Sequence, residues 1–171
     1  MKTNLLVISE NIYKDWQVDE AKLVSIANQI FDYYINREDI YKKSCLYGEE
    51  FNTVSFDILY CDGNKTHEIN REYRNKDYVA DIITFAIFAD ETPEARFIFD
   101  GEINLGEIML ALDKITQSAQ EKGVTKEEEL CFLLAHGIMH LLGFDHQTEE
   151  EYNFVVSAQN KALSKIKDIN V

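Results

Sequence analysis

The chain reads as an α+β domain, a small mixed β-sheet of about four strands packed with about five helices. Three observations carry this reading. Val54, Phe56, Ile58 and Tyr60 alternate with Ser55, Asp57 and Leu59, the period of a strand with two unlike faces. Leu23, Ala27, Ile30, Phe31 and Tyr34 fall at i, i+4, i+7, i+8 and i+11, which is one face of a helix. The stretch that opens at Thr125 is apolar nearly all round and so belongs at the centre of the fold.

Taken in order, Leu5 to Ile8 reads as a short buried strand and Asp19 to Tyr34 as the first helix. Residues 36 to 50 are polar and mixed, carry Gly48, and read as a surface connection. After the strand over residues 54–60, Asp62 to Arg74 reads as a helix opened by an Asp or Asn cap. Ile82 to Phe88 is rich in β-formers, and Pro93 with its acidic neighbours marks a loop. Leu105 to Leu110 reads as the last strand, followed by a helix from about Ala111 to Lys122 that stops at Gly123. Thr125-Lys-Glu-Glu128 and Thr148-Glu-Glu-Glu151 both have capping-box spacing and open two further helices. Phe154, Val155, Ala158, Ala162 and Ile166 form the inner stripe of the last one.

With 171 residues, 46% of them hydrophobic, residues 1–171 suffice for a single domain with a sizeable core. No apolar run approaches the roughly 18 to 20 residues that span a bilayer. No signal peptide or membrane anchor is read, so the cytoplasm is the expected location and no membrane partner is expected. Cys45, Cys61 and Cys131 are odd in number and lie outside any CxxC spacing, which argues against disulfides or a thiolate metal site. Seventeen basic against 31 acidic residues give a net charge of −14. Such a surface does not attract nucleic acid in general, so DNA is not an expected partner, and an RNA must meet a local basic patch or arrive with a larger partner.

Three of the four histidines stand in the eleven residues His136-Gly-Ile-Met-His140-Leu-Leu-Gly143-Phe-Asp145-His146. His136 and His140, four apart on a helix, share a face, and Gly143 lets the chain leave the helix and return His146. Three imidazoles with a vacant fourth position suit a zinc ion that activates water, as on the central helix of zinc hydrolases; nickel or another divalent metal is also accepted by such ligands. A closed structural site would call for four ligands and commonly cysteine. His67 reads as a polar helix residue. The spacing is that of the zinc-protease motif HExxHxxGxxH except at Gly137, where a peptidase carries a glutamate that contributes on the order of 10²- to 10⁴-fold. Peptide hydrolysis is thereby disfavoured. A phosphodiester depends more on charge neutralisation, and remains.

HGIMHLLGFDH resembles the HGxLHLxGYDH signature of the YbeY family, bacterial metal-dependent endoribonucleases of ribosomal RNA maturation. Ile69-Asn70-Arg-Glu-Tyr73-Arg74-Asn-Lys-Asp77 resembles that family's LNxxYRxxD segment, and Asn104-Leu105-Gly106-Glu107-Ile108 its LGDI strand. Where the family reads PTDVLSFP this chain has Val79-Ala-Asp81-Ile-Ile-Thr84-Phe85-Ala86, which keeps Asp81, Phe85 and a hydroxyl at Thr84 but lacks both prolines. Phe144 replaces the tyrosine beside the metal motif.

The resemblance implies an endoribonuclease specific for single-stranded RNA, acting at the 16S 3′ end and in ribosome quality control. Its metal would be held by His136, His140 and His146. Arg74 would be the catalytic residue that grips the scissile phosphate, since a guanidinium fork matches two phosphoryl oxygens. Asp145 either orients a ligating imidazole or caps the turn. Two rivals stand beside this reading. One is a ribosome-assembly factor that binds basic ribosomal proteins through its acidic surface and keeps a mainly structural metal. The other is a zinc peptidase that imports a base such as Glu107 or Asp81.

Overall fold

The computed structural model describes residues 3–171. The elements run Asn4–Asn11 (β1), Glu20–Ile35 (α1), Glu38–Tyr41 (α2), Thr53–Cys61 (β2), Gly63–Tyr73 (α3), Ile82–Phe85 (β3), Glu102–Ala111 (β4), Leu112–Lys122 (α4), Lys126–Leu141 (α5) and Glu149–Ser164 (α6). A 3₁₀ turn at Pro93–Ala95 interrupts the loop between β3 and β4. The strands lie in the order β1-β2-β4-β3, with β1, β2 and β4 parallel and β3 antiparallel to β4. The expected small α+β domain with a mixed four-stranded sheet is therefore present.

Strand alternation divides the sheet into two working faces. Val54, Phe56, Ile58 and Tyr60 of β2, with Ile103, Leu105, Ile108 and Leu110 of β4, enter the main core beside α1, α5 and α6. Leu59, Cys61, Ile83, Phe85 and Met109 point the other way, where Ile69 of α3 packs on them. The parity of β4 depends on a bulge. Between the pairs Ser55–Asn104 and Asp57–Glu107, one residue of β2 faces two of β4. The extra residue is Gly106, at φ +129°, and a Cβ there would stand 1.8 Å from the Phe85 carbonyl oxygen. The bulge moves the inward set from Ile103 and Leu105 to Ile108 and Leu110, and so turns Glu107 away from the main core.

The helix boundaries follow local chemistry. The Asp19, Asp62, Thr125 and Thr148 side chains each accept a backbone N–H from the first turn of α1, α3, α5 and α6. Thr148 and Glu151 form the full reciprocal capping box. Gly123 closes α4 in the left-handed conformation, at φ +70°. Buried residues fall on every side of α5, as expected of a central helix.

Three expectations need correction. Leu5 to Ile8 is not a short buried strand: β1 runs from Asn4 to Asn11 at the edge of the sheet, with Leu5 buried but Leu6 and Ile8 exposed. Residues 36–50 are not a surface connection. They contain the one-turn helix α2, Ile40 and Leu46 are fully buried, and the Cys45 amide donates to the Leu142 carbonyl at 2.9 Å. The segment braces the C-terminal end of α5. The β-rich run 82–88 pairs only as far as Phe85, because β4 bulges at Gly106 directly beside it; Ala86 then accepts from the Asp90 amide in a turn.

Candidate metal centre

Helix α5 presents His136 and His140 on one face, and its C-terminus is built to return the third histidine. Leu142 caps the helix and Gly143 follows at φ +99°. The Gly143 amide donates to the His140 carbonyl at 2.9 Å, and the Phe144 amide to the Met139 carbonyl at 3.1 Å. These two bonds are the Schellman pattern, which reverses the chain within two residues. Phe144 then stacks on Phe154 of α6, with ring centroids 5.8 Å apart, and fixes the loop from outside. The outcome is a cluster of three imidazoles with centroids 4.5, 5.2 and 5.0 Å apart.

One nitrogen from each of the three rings lies within 4.8 Å of the others. The Nε2 atoms of His136 and His140 are 2.9 Å apart. Zinc–nitrogen bonds of about 2.0–2.1 Å at a tetrahedral ion put neighbouring nitrogens about 3.3 Å apart, so a small opening of the pair seats one ion. His136 and His140 are half-buried and His146 is exposed, so the cluster is open on the side of the loop. Burial, and then the neighbouring His140 and His146, push the His136 pKa down to about 4. Burial and His146 also lower that of His140. Both rings are neutral at neutral pH, the state in which imidazole binds a metal.

The surroundings explain two residues of the motif. Gly137 lies against the sheet, where a Cβ would meet Ile108 Cδ1 at 2.9 Å and Ile82 Cδ1 at 3.2 Å. Any side chain at the position that separates this motif from the peptidase one would have to displace the ends of these two isoleucines. Asp145 Oδ1 accepts from the His146 amide at 2.8 Å, so of its two expected roles the turn cap is the one seen. Among the described residues the ligand cluster contains histidines alone. Glu107 lies on the sheet face turned away from α5, and burial raises its pKa and that of Asp81.

Arg74 is positioned by a different element. It caps α3, whose Ile69 packs on the second face of the sheet, and its Nη1 donates to Asn70 Oδ1 at 2.8 Å. Asn70 is fully buried and also donates through Nδ2 to the Tyr78 carbonyl, while its own carbonyl accepts from the Arg74 and Lys76 amides. Asn75, at φ +51°, makes the turn. Asn70 thus organises residues 74–78 and aims the guanidinium. The three histidines are joined directly; among the described residues no hydrogen bond links Arg74 to them. His67, on α3, pairs with Asp77 at 2.6 Å and has no place in the cluster.

Sequence reasoning missed one residue. Gln159 of α6 is fully buried, and its amide lies 2.6 Å from His136 Nδ1. The signal was present: Val155, Ala158, Gln159 and Ala162 stand at i, i+3, i+4 and i+7, so a polar residue lies in an otherwise apolar stripe.

Fold and cluster together define a class, an α+β domain whose central buried helix carries a histidine site able to hold a metal ion. Comparison with known proteins makes this specific. The family model described as Endoribonuclease YbeY matches residues 9–167, and the chain belongs to that family of RNA-cleaving hydrolases. An Endoribonuclease YbeY of Lachnospira eligens is 34% identical over 165 residues, covering 87% of this chain and 89% of that protein. That of Ureaplasma urealyticum is 40% identical over 114 residues, 65% of this chain and 66% of the relative. That of Bacillus licheniformis is 40% identical over 109 residues, 63% of this chain and 69% of the relative. The solution structure of TM1509 from Thermotoga maritima shares the fold at a TM-score of 0.56 and 18% identity, covering 94% of this chain and 90% of its own.

Proposed function

We propose that the chain is a zinc-dependent endoribonuclease of single-stranded RNA that acts in the cytoplasm on ribosomal RNA, in 16S 3′ end maturation and ribosome quality control. The convergence of His136, His140 and His146 in a member of this family carries the reading. Zinc, or nickel or another divalent ion in its place, supplies Lewis acidity toward a phosphoryl oxygen and lowers the pKa of water. The three histidines hold the ion, and their burial and mutual repulsion keep His136 and His140 unprotonated and ready to bind. Arg74 grips the scissile phosphate through the N–H groups that Asn70 leaves free, and spreads the charge that builds up there. With no carboxylate in the ligand cluster, a phosphodiester suits the site better than a peptide, whose leaving amine must be handed a proton. Purified protein holds about one equivalent of metal on this reading, and His140→Ala loses both the metal and RNA cleavage. Unchanged cleavage in that variant sinks the mechanism.

A second reading rests on the net charge of −14, which suits basic ribosomal proteins better than RNA. The protein then acts as a ribosome-assembly factor, and its metal mainly holds the fold. Thermal melts and rRNA processing in His136→Ala and Arg74→Ala cells separate the two. Metal loss that chiefly unfolds the protein, with processing intact in Arg74→Ala, selects binding over cleavage.

A further inference from the structure

The contact between Gln159 and His136 has a chemical consequence for metal uptake. His136 Nε2 faces His140 Nε2 at 2.9 Å, a hydrogen bond that needs one proton between two ring nitrogens. On the other side of the ring, the Gln159 amide nitrogen faces Nδ1 at 2.6 Å. Both contacts are satisfied at once when His136 carries its proton on Nε2, gives it to His140 Nε2, and accepts at Nδ1 from the Gln159 amide. The other end of that amide, Oε1, is buried without a partner. To ligate an ion through Nε2, His136 must move the proton to Nδ1, and Nδ1–H then needs an acceptor in the same buried place. A carboxamide supplies one by turning end for end, which brings Oε1 to the ring.

We infer that Gln159 is a positioning residue that serves both tautomers of His136, donating to Nδ1 before the ion binds and accepting from Nδ1–H afterwards. The proposal rests on His136 being a metal ligand. A glutamine does this where leucine or glutamate cannot: leucine serves neither tautomer, and a carboxylate only accepts, which holds the proton on Nδ1 and leaves Nε2 ready for the ion.

The test uses the full chain as wild type, Gln159→Leu and Gln159→Glu, each with zinc alone as the probe. Zinc affinity is measured by competition with a chromophoric chelator. The His136 tautomer is read from ring ¹⁵N shifts with and without zinc. Wild type should change from the Nε2–H to the Nδ1–H form on loading. Gln159→Leu should bind zinc roughly 10- to 100-fold more weakly, the range for loss of a partner behind a metal-bound imidazole. Gln159→Glu should show the Nδ1–H form before any zinc is added and bind at least as tightly as wild type, a result that a purely structural role does not produce. If Gln159→Leu is too unstable to study, the Gln159→Glu tautomer decides alone. Wild type that binds zinc with the same tautomer before and after, or variants with unaltered affinity and tautomer, overturn the inference and leave the metal site standing. Wild type that binds no zinc overturns both.

Discussion

His136, His140 and His146 lie within eleven residues of chain and are gathered by one helix and one turn, whereas Arg74 is aimed from the end of α3 by a buried asparagine. The first arrangement is local: helix period brings two rings together and the Schellman bonds bring the third. The second is tertiary, since Asn70 is positioned only because α3 packs on Leu59, Cys61, Ile83 and Met109. Local geometry is rigid in itself. A residue aimed through a turn is only as well placed as the packing behind it. The cluster should therefore fail outright when a ligand is lost, and the Arg74 turn should fail by degrees.

The largest difference is expected between His140→Ala and Arg74→Ala. The first should lose metal and reduce RNA cleavage to background. The second should keep full metal content and lose roughly 10- to 100-fold in cleavage, from hydrogen bonds to a charged group worth about 1.5–3 kcal/mol. Metal content measured beside cleavage rate on one oligoribonucleotide checks both. Metal loss in Arg74→Ala would show that the α3 turn also supports the histidine cluster.

Gly137 tests what its lack of a side chain means. If an acid were all that kept this site from peptide chemistry, Gly137→Glu would acquire peptidase activity. Its Cβ instead meets the ends of Ile108 and Ile82, which must shift to admit it, at a buried position of α5. Overpacking costs about 1–3 kcal/mol and an unpaired buried charge adds to it. The expected outcome is a melting temperature lowered by many degrees with no peptide turnover, read by calorimetry and a peptide-cleavage assay.

The same contrast explains what the sequence made legible. The cluster could be read because HxxxHxxGxxH is a local pattern in which each residue has a local task. The helix stripes and caps were equally visible. The bracing role of residues 36–50 was not, because the buried Ile40, Cys45 and Leu46 are sparse among polar neighbours, and the contact of Cys45 with the end of α5 joins residues far apart in the chain. The early end of β3 was hidden because its cause, the Gly106 bulge, lies on another strand. Gln159 went unread because a single polar residue in a stripe looks like a surface position until α6 is docked.

Asn70→Ala asks how far the Arg74 turn depends on its support. It removes the acceptor for Arg74 and leaves the Tyr78 carbonyl without its donor. A buried group left unsatisfied costs about 1–3 kcal/mol, so a moderate fall in stability is expected. Cleavage should fall toward the Arg74→Ala level while zinc binding stays at the wild-type value. Wild-type cleavage in a stable Asn70→Ala protein would show that the guanidinium needs no such anchor.

The smallest effect is a difference in pH response. An unfolded histidine titrates near about 6.5, and in the folded, metal-free protein His136 is held down to about 4 by burial and its neighbours. Protons therefore bind the unfolded chain preferentially across that interval. The sign follows: the contribution of His136 to metal-free stability is fully present above the unfolded value and is lost as pH falls from there toward about 4. His136→Asn should remove that part of the slope, so the stability gap between wild type and variant changes through the window and is flat above it. Arg74→Ala leaves His136 and its burial in place, so it should run parallel to wild type. Denaturant melts of the three metal-free proteins across the interval measure this directly, and a parallel His136→Asn curve would mean that the cluster's burial does not reach its protonation.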